Sequence, residues 1–200
     1  MPRTQMSCHV SVFVFAERKV RGGMRDYIFG LSDLTLDKRN KEKKVKPLGG
    51  MVEYGEFLGH AVIREAGEES DHNVTIKDQQ SLVLTFRGRP DKGNHRRISY
   101  LATETDIETK VRFEPGSSVT FIDSESGHTF KLRLWGLKDF LIHLCDGYWE
   151  RYFFTFEKMM KYQDFRERNQ KFFDEVLVKR NQEFIKLKEE RRNRRVHILS

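Results

Sequence analysis

The chain has 200 residues, of which 38% are hydrophobic and 34% are charged, and its formal net charge at pH 7 is +7. This length suits one domain with an extension or two small domains, and the hydrophobic fraction suffices for a compact core. The mean hydropathy is −0.67, and no apolar run approaches the roughly 20 residues of a membrane-spanning helix, which argues against a membrane partner. The first ten residues, MPRTQMSCHV, lack the regions of a secretory signal, so we expect a cytoplasmic protein.

The cysteine content also excludes two classes of stabilised fold. Cys8 and Cys145 are far apart in sequence and belong to no CxxC motif. A disulfide framework needs several paired cysteines, and a cysteine-built zinc site needs closely spaced ones. The sequence therefore predicts two reduced thiols.

Strand patterns come first along the chain. The stretch CHVSVFVFAE alternates Val10, Val12 and Val14 with other residues, and RDYIFGLSDL follows across Gly22 and Gly23. The alternation predicts a buried strand, and the glycine pair predicts a turn into a hairpin partner. Three later stretches predict two further strands and then a strand that passes into a short helix: QSLVLTFRGR, RRISYLATET and TFKLRLWGLKDFLIHLC.

A lysine-rich loop and a glycine pair precede the first predicted helix. Residues 37–46 are predicted to form the loop, and Pro47 with the following Gly-Gly pair interrupts regular structure. From Phe57 to about Ser70, apolar residues recur at helical spacing, which predicts an α-helix.

The composition changes from residue 146 onward. GYWERYFFTFEKMMKYQ is crowded with aromatic residues, and a long helix with an apolar stripe and a basic end, KLKEERRNRR, is predicted after it. We therefore expect one domain over residues 1–145 and a helical extension over residues 146–200, whose stripe docks on the domain or forms a homodimer. The stripe consists of Phe165, Phe172, Val176, Leu177, Phe184 and Leu187.

Positive charge flanks a cluster of carboxylates. Residues 38–46 contain six lysines or arginines and one glutamate, and residues 87–97 contain five lysines or arginines and one aspartate. Either segment alone is typical of a solvated charge run. Two such segments around an acidic cluster favour a site for an anionic, metal-bridged substrate.

The acidic cluster lies within the first predicted helix. Glu65 and Glu69 are four residues apart and Glu68 is three residues from Glu65, so the three carboxylates share one face and repel one another. Mg²⁺ or Mn²⁺ would neutralise them, because these hard cations prefer oxygen ligands and leave positions for substrate phosphates. Arg64 can reach back to Glu56 and hold the glycine loop against the helix. A solvated acidic face is the alternative interpretation.

The spacing of the whole segment resembles the pattern of the Nudix hydrolases, which cleave nucleoside diphosphates linked to another moiety. The resemblance covers 23 residues, from Gly50 to His72, and departs from the family at Asp71, where the pattern has glycine. It implies an α/β fold of the Nudix type, an α/β/α sandwich with a mixed sheet, here with a C-terminal helical extension. The matching residues are Gly50, Glu56, Arg64, Glu65, Ala66, Glu68 and Glu69.

The resemblance also implies a chemistry and a set of site residues. A metal-activated water would attack one phosphorus of a pyrophosphate bridge. The implied metal ligands are Glu65, Glu68, Glu69 and a backbone carbonyl near Gly50, with Glu56 and Arg64 orienting the site. The candidates for catalytic proton transfer are Glu53, Glu65, Glu69, Glu114 and Glu125, with Glu69 or Glu114 preferred. The cations expected to bind substrate phosphates are Lys46, Arg87, Arg89 and Arg97.

Three functions fit these expectations. A hydrolase of a small nucleotide such as ADP-ribose or a dinucleoside polyphosphate is preferred. An RNA 5′-end or cap pyrophosphohydrolase is the first alternative, because the basic segments and the basic tail could follow a phosphate backbone. The second is a Nudix-fold protein that binds a nucleotide or a partner without hydrolysis, which the complete set of metal glutamates disfavours.

Overall fold

The computed structural model describes residues 7–35, 45–78, 82–87, 96–124, 126–144, 164–171, 174, 175 and 182. Within these ranges, no helix combines the length and the apolar character needed to cross a membrane. Cys8 is half-buried, and Cys145 lies outside the described residues.

Two long strands form the predicted hairpin. Strand β1 spans Cys8–Val20 and strand β2 spans Gly23–Asp33, and they pair antiparallel with Val20 opposite Gly23. Gly22 and Gly23 have φ angles of +103° and +121°, which glycine adopts because it has no Cβ. The glycine pair therefore makes the tight turn that its sequence position indicated.

The remaining strands complete a six-stranded mixed sheet and a separate two-stranded sheet. The large sheet has the order β4-β5-β1-β2-β8-β7, and β3 pairs with β6. The β1–β5 pair is parallel, whereas the other described pairs are antiparallel. The strands are β3 Val74–Ile76, β4 Val83–Arg87, β5 Arg96–Thr103, β6 Ile107–Thr109, β7 Ser118–Ile122 and β8 Thr129–Gly136. Sequence analysis missed β3, β6 and β7, because runs of three to five residues are too short to show a periodicity.

Two helices occur where the sequence predicts them. Helix α1 spans Leu58–Glu68 and follows the glycine loop, and helix α2 spans Leu137–His143 and directly continues β8. Helix α1 ends before Ser70 because the backbone of Asp71 turns into the left-handed region, with φ of 51°. A single 3₁₀ turn, Glu104–Asp106, links β5 to β6.

Strand β1 is buried on both faces, and this defines two hydrophobic layers. On one face, Val12 packs in a core that includes Ala66 of α1. On the other face, Phe13 packs in a second core that includes Phe140 of α2. Helices therefore cover both faces of the mixed sheet, and the expected α/β/α sandwich is confirmed.

The first described part of the predicted extension, residues 164–171, contributes to the second core. Residues 164–171 are helical, and Phe165, only 7% exposed, meets Phe15 of β1 edge to face with ring centroids 6.0 Å apart. Arg168 binds Asp26 at 2.8 Å and Glu17 at 2.6 Å. This segment thus packs on the strand domain and is not a detached appendage. The boundary at residue 145 and the homodimer stay predictions, because the other stripe residues lie outside the described residues: Phe172, Val176, Leu177, Phe184 and Leu187.

Replacement of Phe165 tests this docking. Phe165→Ala should lower the free energy of unfolding by about 3–5 kcal/mol, because it removes a buried ring from the second core. Arg166→Ala, at an exposed position of the same helix, is the matched control and should change stability by no more than about 0.5 kcal/mol. Urea denaturation followed by circular dichroism measures both values. Equal stability of the two variants would show that the helix does not pack on the sheet.

Candidate active site

Glu65 lies on the buried face of α1, beside the glycine loop. The residue is 8% exposed, and its carboxylate packs against Gly50, where an added Cβ would be 2.1 Å from Glu65 Oε2. Any side chain at position 50 would therefore displace this carboxylate. The carbonyl of Gly50, which the resemblance implies as a metal ligand, accepts a hydrogen bond from the Val10 N–H of β1 at 2.9 Å. The loop is thus bound to the sheet on one side and contacts the helix on the other.

Glu69 is the C-cap of α1, and its side chain returns to the segment that precedes the helix. Glu69 Oε2 accepts the Gly49 N–H at 2.6 Å, and Oε1 accepts a charge-assisted hydrogen bond from Lys46 Nζ. The backbone of Lys46 pairs with Leu31 of β2, with both N···O distances between 2.9 and 3.0 Å. The sheet therefore positions Lys46 beside the carboxylates, where the sequence placed a substrate-binding cation.

Arg64 connects the glycine loop to two of the helix glutamates. Its guanidinium donates to both oxygens of Glu56, to the carbonyl of Met51, to Glu65 Oε1 and to Glu68 Oε2, at 2.8 to 3.1 Å. These five hydrogen bonds use all five N–H groups of the side chain. The contact between Arg64 and Glu56 that the spacing predicts is therefore present.

The buried glutamates are poorly stabilised as anions. The pKa of Glu65 is raised to about 7, chiefly because burial removes water from its carboxylate; Glu69 and Glu68 repel it as well, while Arg64 opposes the shift. Burial also raises the pKa of Glu69, against the attraction of Lys46 and the Gly49 N–H. In contrast, the hydrogen bond from Arg64 lowers the pKa of Glu56. A further positive charge near Glu65 and Glu69 would therefore favour their ionised forms.

The helix glutamates open onto a cleft of about 360 Å³ between α1 and the β7–β8 hairpin. Its carboxylates come from α1, from the turn after the helix and from the residues after β7. They are Glu65, Glu68, Glu69, Asp71 and Asp123. We call this the acidic cleft.

Asp123 is the cleft residue that sequence analysis missed. Its charge acts with burial to raise the pKa of Glu69, so the two carboxylates face each other across the cleft. Asp123 Oδ2 also accepts the Ser126 N–H at 2.8 Å, which orders the turn between β7 and β8. The sequence signal is a carboxylate directly after the run SVTFI, but that run is too short to be predicted as a strand.

The end of α1 departs from the family pattern yet closes tightly. Asp71 and His72 are both left-handed, with φ of 51° and 53°, and the His72 N–H donates to the Gly67 carbonyl at 2.7 Å. The side-chain amide of Asn73 donates to the Ser70 carbonyl at 2.8 Å. A Cβ on Gly67 would be 3.0 Å from His72 Nδ1, so glycine permits the close approach of the imidazole to the helix.

The residues of the acidic cleft fit a hard divalent cation in chemistry but do not form a ready coordination shell. Carboxylate oxygens are the ligands that Mg²⁺ and Mn²⁺ prefer. In the described part of the chain, no three His, Cys, Asp or Glu side chains are arranged so that they could hold a metal ion. The physical reason is that Arg64 binds Glu65 and Glu68, while Lys46 binds Glu69. A bound cation would have to replace these contacts.

Glu114 and Glu53 lie outside the lining of the acidic cleft. The Glu114 carboxylate pairs with Arg112 at 2.5 Å and lies 3.8 Å from Arg18. Glu53 is exposed and lies 3.9 Å from Arg64. Among the described candidates for proton transfer, Glu65 and Glu69 are therefore the two that line the cleft.

Two of the predicted arginines, Arg87 and Arg97, belong to strands on another part of the sheet. Arg87 ends β4 and Arg97 belongs to β5, and the strand order separates both strands from β7. The side chains of Arg87 and Arg97 lie outside the description, as do all of Arg89, His95 and Glu125. His128, in the connection between β7 and β8, contacts Asp33 Oδ2 through Nδ1 at 2.7 Å.

Comparison with known proteins finds similarity in structure and none in sequence. No protein-family model matches the chain, and no curated protein matches it. A MutT protein from Bacillus halodurans is similar with a TM-score of 0.47 and 18% identity, over 74% of this chain and 80% of that chain. A MutT/Nudix family protein from Listeria innocua has a TM-score of 0.49 and 14% identity, and the match covers 80% of this chain and 97% of that chain. A protein described as an ADP compounds hydrolase has a TM-score of 0.49 and 12% identity, and the match covers 80% of this chain and 75% of that chain.

At these identities and TM-scores, the likeness concerns the arrangement of strands and helices, and it supports no conclusion about activity or substrate. In fold, the chain is similar to the MutT/Nudix structures.

Proposed function

We propose that this protein is a Nudix-type hydrolase that uses Mg²⁺, or Mn²⁺ in its place, to cleave the pyrophosphate bridge of a nucleoside diphosphate linked to another moiety. The observation that supports this most strongly is the acidic cleft. Five carboxylates line one opening, and two of them have raised pKa values because they are buried with too little positive charge. The glycine loop and Arg64 hold the glutamate-bearing helix against the sheet beside this opening.

The proposed metal ligands are Glu65, Glu68 and Glu69. When bound there, Mg²⁺ supplies positive charge to the pyrophosphate oxygens and lowers the pKa of the attacking water. Arg64 keeps its bonds to Glu56 and to the Met51 carbonyl, so it fixes the loop against α1 whichever partner Glu68 has. Glu56 and Arg64 are thus positioning residues for the glutamates.

Proton transfer and phosphate binding are assigned to the residues before and at the end of α1. We assign the general base to Glu69, because it lines the acidic cleft and the Gly49 N–H orients its carboxylate. Lys46, which pairs with Glu69, can turn its ammonium toward an anionic substrate in the cleft. It then neutralises charge that develops on the phosphate oxygens.

A small nucleotide is the proposed substrate class, with ADP-ribose and dinucleoside polyphosphates as examples. A cleft of about 360 Å³ falls within the size range of small-molecule sites. Phe121 and Phe130 line it, with stacked rings whose centroids are 6.0 Å apart. Their apolar surface can receive a nucleobase while the phosphates approach the carboxylate-bound cation.

Loss of a metal ligand tests the activity. Glu68→Gln and Glu69→Gln should each keep the fold but lower kcat by about a hundredfold or more, because each removes a charge that holds the cation. Glu108→Gln, an exposed carboxylate of β6, is the control and should keep full turnover. The measurement is Mg²⁺-dependent hydrolysis of ADP-ribose and of a dinucleoside polyphosphate. Full activity in both site variants would remove the metal assignment.

The raised pKa of Glu65 predicts opposite pH effects with and without metal. Its pKa rises from the ordinary 4.5 to about 7 in the folded protein. The metal-free protein should therefore lose stability as the pH rises from about 4.5 to 7, because the folded state holds this proton more tightly than the unfolded chain. Mg²⁺ needs the ionised carboxylate, so the increase in Tm that it causes should be larger at pH 8 than at pH 5.5.

Thermal denaturation at both pH values, with EDTA or with Mg²⁺, measures these effects. Glu65→Gln is the matched variant, because it keeps the shape and cannot ionise. In Glu65→Gln, the loss of metal-free stability between about pH 4.5 and 7 should be smaller than in the parent. The increase in Tm caused by Mg²⁺ should also differ less between pH 5.5 and pH 8. Parent and variant with identical pH and Mg²⁺ responses would contradict the assignment.

Salt dependence separates the small nucleotide from the RNA alternative. For a small nucleotide, KM should change weakly with salt, whereas single-stranded RNA should lose affinity with a log-log slope of about −0.7 per phosphate contact. The salt dependence is measured as hydrolysis of ADP-ribose and of a 5′-capped RNA at two ionic strengths. The parent is compared with a tail variant in which six basic residues are changed to Gln. Preferential RNA hydrolysis, lost with salt and in the variant, would favour the alternative. The six residues are Lys186, Lys188, Arg191, Arg192, Arg194 and Arg195.

A further inference from the structure

A second cavity, of about 540 Å³, lies at the opposite end of β2 and β8 from the acidic cleft. The acidic cleft is lined by Phe130, which pairs with Asp33, whereas this cavity is lined by Tyr27 and Gly136, which pair with each other. Along β8 at about 3.3 Å per residue, Phe130 and Gly136 are about 20 Å apart. The second cavity is therefore spatially separate from the proposed catalytic site. We call it the basic cavity.

Cationic side chains outnumber carboxylates around the basic cavity. Arg25, Arg133, Lys138 and Arg168 line it, against Asp26 and Asp139. Arg168 is neutralised by Asp26 and by Glu17. Among the described residues, no salt bridge joins Arg25, Arg133 or Lys138 to a carboxylate. The cavity thus has positive charge that the described protein groups do not balance.

Arg133 is stacked on an aromatic ring. Its guanidinium lies over the Trp135 ring, with 4.8 Å between Cζ and the ring centroid, and Trp135 is 9% exposed. Its Nε is buried and has no hydrogen-bond acceptor among the described residues. A buried N–H without an acceptor is unfavourable, so a small movement of the guanidinium that brings Nε to a ligand oxygen would gain a hydrogen bond.

These features define the chemistry of a ligand. A stacked guanidinium presents a planar fork of N–H donors, which matches the spacing of two phosphate oxygens. The cavity exceeds the volume of a phosphate group alone, and Tyr27, Leu134 and Leu137 add apolar surface to its walls. Its volume lies in the range of sites for small organic molecules.

We propose that the basic cavity binds a nucleotide-sized phosphate monoester, whose phosphate oxygens accept hydrogen bonds from Arg133. Arg25 and Lys138 add positive charge on the exposed side, and the organic part contacts Tyr27 and Leu137. This site needs neither a metal ion nor hydrolysis, so it is independent of the proposed activity of the acidic cleft.

Trp135 provides the readout, because it lies directly beneath Arg133. The chain has two tryptophans, and Trp149→Phe leaves Trp135 as the single fluorophore. AMP is the probe, because it has no pyrophosphate bridge to cleave, and EDTA excludes metal-dependent binding in the acidic cleft. AMP should change the Trp135 fluorescence saturably, inorganic phosphate should cause the same change with lower affinity, and adenosine should cause none.

Further substitutions, made in the Trp149→Phe variant, test where AMP binds. Arg133→Gln should weaken AMP binding about tenfold or more, because a bidentate charge-assisted contact is lost. Lys138→Gln changes an exposed residue of α2 and should weaken it about twofold to fivefold without affecting folding. Lys77→Gln, an exposed lysine that does not line the cavity, and Glu68→Gln should bind AMP as the parent does.

The outcomes separate this proposal from the hydrolase assignment. Absence of saturable AMP binding, or parent-like affinity in both Arg133→Gln and Lys138→Gln, would overturn the basic cavity as a phosphate site. A changed AMP affinity in Glu68→Gln together with a parent-like affinity in Lys138→Gln would overturn it as well, since AMP would then occupy the acidic cleft, where loss of the Glu68 charge should strengthen binding of an anion in the absence of metal. AMP binding that depends on Arg133 and Lys138 supports the site whether or not the protein hydrolyses a nucleotide.

Discussion

The contact between the Glu65 carboxylate and Gly50 is the constraint on which the rest of the site depends. It places a negative charge in a nearly buried position, where an isolated carboxylate is strongly unfavourable. Arg64 makes this position tolerable, because it donates to Glu65 while binding Glu56 and Met51 of the loop. The same arginine that compensates the charge therefore holds the loop on the helix, and the geometry of the site is coupled to its electrostatics.

That compensation is incomplete. The pKa of Glu65 remains raised to about 7, and that of Glu69 is raised in spite of its bond to Lys46. A protein selected only for stability would gain from neutral residues at such positions, since buried ion pairs seldom repay their desolvation. An uncompensated electrostatic cost of this kind is expected at a site that binds a cation and an anionic substrate, because the bound cation then supplies the positive charge that the carboxylates lack.

The double burial of β1 determines where the sites can form. With Val12 packed under α1 and Phe13 packed under α2, both faces of the sheet are occupied by core residues. Open space is left at the two ends of β2 and β8. The acidic cleft and the basic cavity share no lining residue, and along β8 the cleft residue Phe130 is three residues, or about 10 Å, from Arg133 of the basic cavity.

The sequence by itself determined the longer local elements and three of the five carboxylates that line the acidic cleft. The strand alternation around Val12, the Gly22-Gly23 turn and the helical spacing after Phe57 are local patterns, and the structure has the corresponding hairpin and helix. The positions of Glu65, Glu68 and Glu69 on adjoining turns follow from helix geometry alone.

Only the tertiary structure decided which distant groups meet these glutamates. Asp123 reaches the cleft because β7 pairs with β8, and Lys46 reaches it because its backbone pairs with β2. Glu114 has a similar sequence context to Asp123 but pairs with Arg112 instead. Packing also decides two further contacts. Phe165 docks on Phe15, and the Arg133 guanidinium lies over the Trp135 ring. Local periodicity specifies the element on which a side chain lies, whereas the pairing of strands and the burial of their faces specify its neighbours.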